Sequence, residues 1–358
     1  MVEWTEEVRV GLVTGGTEGI GRAVCLELAR QGWRVLFVGR DQRRAEGVLA
    51  ELRAASPGVE HAFLRADLSL LSETARVADE IGHHSTRLDA AIFCAGILGT
   101  IPEWTEEGLE RNFVLNYLTR YLLARRLLPK LLQAGSGRLV LVSNAGRYED
   151  TLDFDDLQQR RAKPGLSVAG RTQFANDLFT VELAERLRDT ALEVTCVFPG
   201  VTRTRVFENA RGLPWFLRLV APLLLCLGHP AESAARTPVF LAGDERARGT
   251  SGRFFGPRLK EIPVPERALR PDRRGLLWDA STLLVRDYLE DARLLQAKDD
   301  GREDRPDLEP ESGSSGVARE RVEACAHEAS RDLSSRRAVR PAAQSGKSVD
   351  ISRTPGHR

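Results

Sequence analysis

Short, continuously apolar runs alternate along the chain with longer stretches whose apolar residues recur at helical spacing. The runs at 8–14, 35–38, 61–66, 90–94, 138–142 and 194–198 are expected strands, and 252–255 an edge strand. Helices are expected at 19–31, at 106–128 and at 174–188, where Phe174, Leu178, Val181 and Leu187 fall near one face; 276–295 reads as a terminal helix. The strands are apolar throughout rather than on every second residue, so helices must cover both faces of the sheet. Alternation of strand and helix through residue 256 therefore predicts an α/β fold, a doubly wound parallel sheet in a single domain over 1–296. Beyond residue 297 large apolar groups thin out among Asp, Glu, Arg, Ser, Gly and Pro, and 297–358 is expected to be a disordered tail. A tail that folds on a partner stays open as the alternative. No internal repeat is present.

Composition adds exclusions rather than assignments. A formal net charge of +1 removes the basic field that nucleic-acid binding needs. Of 52 basic residues only Lys130, Lys163, Lys260, Lys298 and Lys347 are lysines, so an individual arginine carries weight only where its position gives a reason. Cys25, Cys94, Cys196, Cys226 and Cys325 form no CxxC pair, and neither they nor the six histidines make a metal-ligand pattern. The acidic start, Met1 to Glu7, runs into a strand without a secretory signal, and the most apolar stretch, 213–227, holds Arg218 and two prolines. These features predict a cytoplasmic protein with no stable membrane span.

The chemistry-bearing feature follows the first strand: Thr14-Gly15-Gly16-Thr17-Glu18-Gly19-Ile20-Gly21 opens a helix. A glycine turn there lets backbone N–H groups and the positive helix end approach a pyrophosphate, the arrangement of a Rossmann-type sheet. Gly15, Thr17, Glu18, Gly19, Ile20 and Gly21 are accordingly expected to bind a dinucleotide. The second strand ends at Gly39-Arg40, with Arg43 and Arg44 close behind. Space and positive charge at that point suit a ribose 2′-phosphate, so the cofactor expected is NADP.

The Thr-Gly-x-x-x-Gly-x-Gly spacing resembles the short-chain dehydrogenase/reductase family, and further segments match in order. Asp67-Leu68 stands where that family contacts adenine, Cys94-Ala95-Gly96 replaces its Asn-Ala-Gly, and Asn116 matches the helix asparagine of its proton relay. Pro199 to Thr204 matches its Pro-Gly-x-x-x-Thr, which would bring Thr204 to the nicotinamide end. Ala175 to Thr180 and Gly275 to Trp278 are similar to the retinol-dehydrogenase-like branch, and the likeness spans about residues 8–290.

The resemblance fails where it implies catalysis. A tyrosine donor and a lysine four residues later share a helix face in the family, but the aligned positions here hold Ala169 and Gln173. The serine that polarises the carbonyl is replaced by Asn144, which can still donate a hydrogen bond, and strand alternation is expected to turn Ser143 to the opposite face. Tyr148 is a candidate donor or an ordinary loop tyrosine. Asn116 is left to cap a helix distortion or hold a water, and Thr172 could touch substrate. The 205–228 segment falls where relatives carry a substrate lid; its apolar 213–220 stretch suits a hydrophobic substrate, a dimer partner or peripheral membrane contact equally. The expected function is an NADP-dependent oxidoreductase acting on a hydrophobic carbonyl or alcohol by a non-standard proton route. A non-redox cyclase or isomerase, or an inactive NADP-binding protein, remains the alternative, because fold alone does not assign chemistry.

Overall fold

The computed structural model describes residues 8–202 and 228–289. Thr204, the 205–228 segment apart from its last residue, and the tail lie outside the described residues. The apolar runs form β1 (Val10–Thr14), β2 (Arg34–Gly39), β3 (Ala62–Arg65), β4 (Ala90–Phe93), β5 (Arg138–Val142), β6 (Glu193–Val197), β7 (Phe254–Phe255) and β8 (Glu261–Ile262). They join one sheet in the order β3-β2-β1-β4-β5-β6-β7-β8. All neighbours are parallel except β7 and β8. The 252–255 run is therefore not the edge. Arg258 and Leu259, both at positive φ, turn the chain back so that the two-residue β8 covers it; a strand that short leaves no periodicity to read.

Successive strand residues point to opposite faces, and each face has its own core. Leu12, Leu36, Val38, Leu64, Phe93, Leu139 and Leu141 pack on one side with α3 (Leu71–His84), α5 (Thr119–Gln133) and α6 (Leu166–Arg186). Val13, Val35, Phe37, Ile92, Val140 and Val142 pack on the other with α1 (Gly19–Arg30), α2 (Gln42–Ala55) and the helix Ala231–Gly243. His83 and His84 close α3.

The 106–128 stretch is not one continuous helix. Glu110 caps the short α4 (Arg111–Phe113), accepting from the backbone N–H of Asn112 and Phe113; a π-helical turn over Val114–Leu118 follows before α5 begins. The terminal helix runs Pro271–Val285, earlier than expected, since Pro271 at its first position needs no intrahelical N–H partner. Its Trp278 packs edge-on against Tyr121 at 5.1 Å and lies 6.4 Å from Phe179, covering α5 and α6 from outside. The chain crosses from β3 to β4 past β1, so β1 has β2 on one side and β4 on the other; the crevice above that reversal is where such sheets bind ligands.

Candidate active site

A cleft of about 1220 Å³ opens above the C-terminal ends of the strands. Gly15 has φ +70°, and a Cβ there would lie 3.0 Å from the Ala95 backbone; one on Gly21 would collide with the Gly15 carbonyl. Those glycines let the turn fold flat against β4. Among the described residues no side chain caps α1, so its N-terminal end opens to the cleft with the positive end of the helix dipole. Thr17, Glu18, Gly19 and Ile20 line this end.

On the β2 side, a side chain at Gly39 would meet Thr17 at 2.6 Å, so an acidic ribose-binding residue has no room there. Asp41, the carboxylate nearest in sequence, accepts from the Arg44 backbone N–H as the N-cap of α2 and is absent from the cleft wall. Arg40 and Arg44 line the cleft, Arg44 paired to Glu18 and Arg40 3.7 Å from Asp67; Arg43 does not line it. Burial works against the Asp67 charge, but hydrogen bonds from the Ser69 N–H and hydroxyl (3.0 and 2.7 Å), with Arg40, hold its carboxyl below the usual range. Leu68 completes this half, and Ala95 and Gly96, beside Gly15, floor the cleft between it and the other.

The other half gathers Ser143, Asn144, Tyr148, Gln173, Phe198, Pro199, Gly200, Val201 and Thr202. Ser143 faces the cleft, contrary to the alternation expected of it. β5 ends at Val142, so the period of two no longer applies; the Ser143 hydroxyl donates to Gln173 Oε1 at 2.7 Å. Asn144 lines the cleft with no side-chain partner among the described residues. Ala169 is fully buried and off the wall. Gly170 beside it leaves space that the Tyr148 ring fills, 3.0 Å from where a Cβ would stand. Burial raises the Tyr148 pKa, which keeps its phenol protonated. Arg267 fixes the loop by donating to the Tyr148 and Gly146 carbonyls at 3.0 and 3.2 Å, and buried Asp177 accepts from the Gly146 N–H at 2.9 Å.

Asn116 sits beneath the wall, in the π-helical turn. Its amide clamps Ile97 by a pair of hydrogen bonds of 2.8 and 3.1 Å, and its carbonyl accepts from Asn176 Nδ2 at 3.0 Å. Thr172 is buried against Asn116 and Ala169 rather than in the cleft. The residue that sequence reading missed is Arg120, which lines the cleft floor one helical turn after Asn116. Its place four residues after a motif asparagine, on the same helix face, was the available clue.

A family profile described as short chain dehydrogenase matches residues 9–152. Retinol dehydrogenase 14 of Homo sapiens is 33% identical over 292 residues, covering 76% of this chain and 85% of that protein. The chain belongs to the short-chain dehydrogenase/reductase family. Polyprenol dehydrogenase of Mus musculus is 31% identical over 264 residues, covering 72% of this chain and 78% of its own. A short chain dehydrogenase structure from Salmonella enterica serovar Typhi superposes with TM-score 0.55 at 25% identity, over 70% of this chain and 96% of that one. Among the described residues of this short-chain dehydrogenase/reductase, no helix is long and apolar enough to cross a membrane.

Proposed function

We propose that this chain binds NADP(H) and reduces an apolar carbonyl compound, with Tyr148 as the proton donor. The Tyr148 ring seated on Gly170, beside the buried Ala169, carries this reading, because it brings a phenol to the cleft where the aligned position has only a methyl. The open N-terminus of α1 and the glycine turn suit a pyrophosphate; Arg40 and Arg44, with no carboxylate at Gly39, suit a 2′-phosphate. A reduced nicotinamide, if held there, would supply the hydride to the carbonyl carbon. Asn144 donates a hydrogen bond to the carbonyl oxygen, and Tyr148 passes its proton to that oxygen as the alcohol forms. A phenol held protonated by burial serves reduction and opposes the reverse reaction, which needs a base.

Ile101 and Val201, 39% and 52% exposed, stand at the cleft mouth with Ile97 and Leu98, a rim that favours an apolar substrate. The names retinol dehydrogenase and polyprenol dehydrogenase point the same way, to long apolar alcohols and their carbonyl partners. The test is NADPH consumption with apolar aldehydes and ketones. The expected result is turnover that falls about 10²-fold or more in Tyr148→Phe with NADPH affinity unchanged. Tight NADPH binding without turnover in the parent protein would replace this reading with that of a binding protein.

A further inference from the structure

Among the described residues of the cleft, Arg120 alone combines full burial with a permanent charge: it is 2% exposed yet lines the floor. Nη2 donates to the Ala95 carbonyl at 2.7 Å and Nη1 to Asn176 Oδ1 at 3.4 Å, both neutral acceptors. Nε has no partner. No carboxylate among the described residues forms an ion pair with it. The ionisable groups that influence it are the thiols of Cys94 and Cys196, and burial keeps both protonated, Cys94 at about 12. Burying a guanidinium with neither counter-ion nor complete hydrogen bonding is costly; that cost pushes the Arg120 pKa down to about 10, which still leaves it charged at neutral pH.

The position of this charge matters. A dinucleotide with its pyrophosphate on α1 and its adenosine end toward Arg40 and Asp67 must lay its nicotinamide on the far side of Gly15, over the ends of β4 and β5. Ala95 and Gly96 floor that region, and Arg120 Nη2 lies 3.6 Å from where a Gly96 Cβ would be. Oxidised nicotinamide carries a positive ring charge and reduced nicotinamide none, while the phosphates are the same in both. A fixed cation under the ring therefore discriminates between the two forms.

We infer that Arg120 selects the redox state of the cofactor, making the chain bind NADPH in preference to NADP+. This rests on the dinucleotide reading and holds whether or not the chain turns over a substrate. It also means that the positive charge absent from Gln173 is supplied to this half of the cleft by a different helix, α5. A unit charge several ångströms from the ring, in a partly screened site, gives a preference on the order of tenfold.

The measurement is the pair of dissociation constants for NADPH and NADP+, by calorimetry, for the full chain and for Arg120→Gln and Arg120→Lys. The parent is expected to bind NADPH about tenfold more tightly, Arg120→Lys to retain that ratio, and Arg120→Gln to bring it close to one. Equal affinities in the parent overturn the inference without recourse to any variant. So does an Arg120→Gln protein whose two affinities fall together at an unchanged ratio, the mark of a merely structural residue. Failure of the parent to bind either form overturns the dinucleotide reading itself, and this inference with it.

Discussion

At the phosphate end the cleft wall is backbone, with a glycine turn, an uncapped helix and a carbonyl that excludes any side chain at Gly21. At the reacting end it is side chain: Ser143 on Gln173, a tyrosine ring on Gly170, and a loop held by Asp177 and Arg267. Backbone geometry tolerates no replacement, because the atoms that recognise the ligand belong to every residue and the glycines only make room for them. Side-chain chemistry can move to a neighbouring element and still face the same space. That contrast explains why the phosphate end is legible in a short motif while the reacting end depends on which side chains the fold brings together.

The contrast is broken most directly at Gly21. Gly21→Val drives a side chain into the Gly15 carbonyl, and loss of NADPH binding by about 10²-fold or more, read by calorimetry, is expected. A variant that keeps full affinity would show that the phosphate end is as adaptable as the other. Rebuilding the reacting end tests the opposite property. In a Tyr148→Ala background, which vacates the space beside Ala169, Asn144→Ser, Ala169→Tyr and Gln173→Lys together are expected to restore carbonyl reduction by about 10²-fold; continued inactivity would mean that the α6 backbone no longer positions a donor.

A smaller effect is expected at the adenosine end. Arg40→Ala should reduce the preference for NADPH over NADH by about tenfold, since a half-exposed arginine loses one charge-assisted contact. An unchanged preference would transfer the role to Arg44.

The smallest effect concerns stability. Burial raises the Asp177 pKa from 3.8 to about 8, with the Gly146 N–H and Arg267 pulling it back only in part. The folded chain therefore holds a proton that the unfolded chain gives up near pH 4, so this contribution to stability is full below pH 4 and is lost as pH rises through about 8. Asp177→Asn keeps an acceptor for the Gly146 N–H without the charge. Its Tm should be flatter than that of the parent between pH 5 and 8, and higher by a few degrees at pH 8. Parallel Tm curves would remove Asp177 as the titrating support of the Tyr148 loop.

Much of the frame was legible. The runs at 138–142 and 90–94 reappear as β5 and β4 within a residue, because a strand buried on both faces must be apolar at every position. The helix α2 was not read, since only three of its residues, Ala45, Val48 and Leu52, are buried. The break in 106–128 was hidden too: a π-helical turn leaves the apolar spacing nearly intact, and what reveals it is the Asn176 amide on the Asn116 carbonyl, a contact 60 residues apart. Ser143 was misplaced because alternation holds only while the backbone stays extended, and β5 ends one residue earlier.

By itself, the sequence determined the parallel sheet, the glycine turn and the positions of Ala169, Gln173 and Asn144, all of which depend on local periodicity or on residue identity. The tertiary structure alone decided that Tyr148 fills the space beside Ala169, that Ser143 meets Gln173, and that Arg120 lies uncompensated beneath Gly96. Each of those is a meeting of side chains from different elements. Their encounter is fixed by how the helices pack on the sheet, which no local pattern encodes.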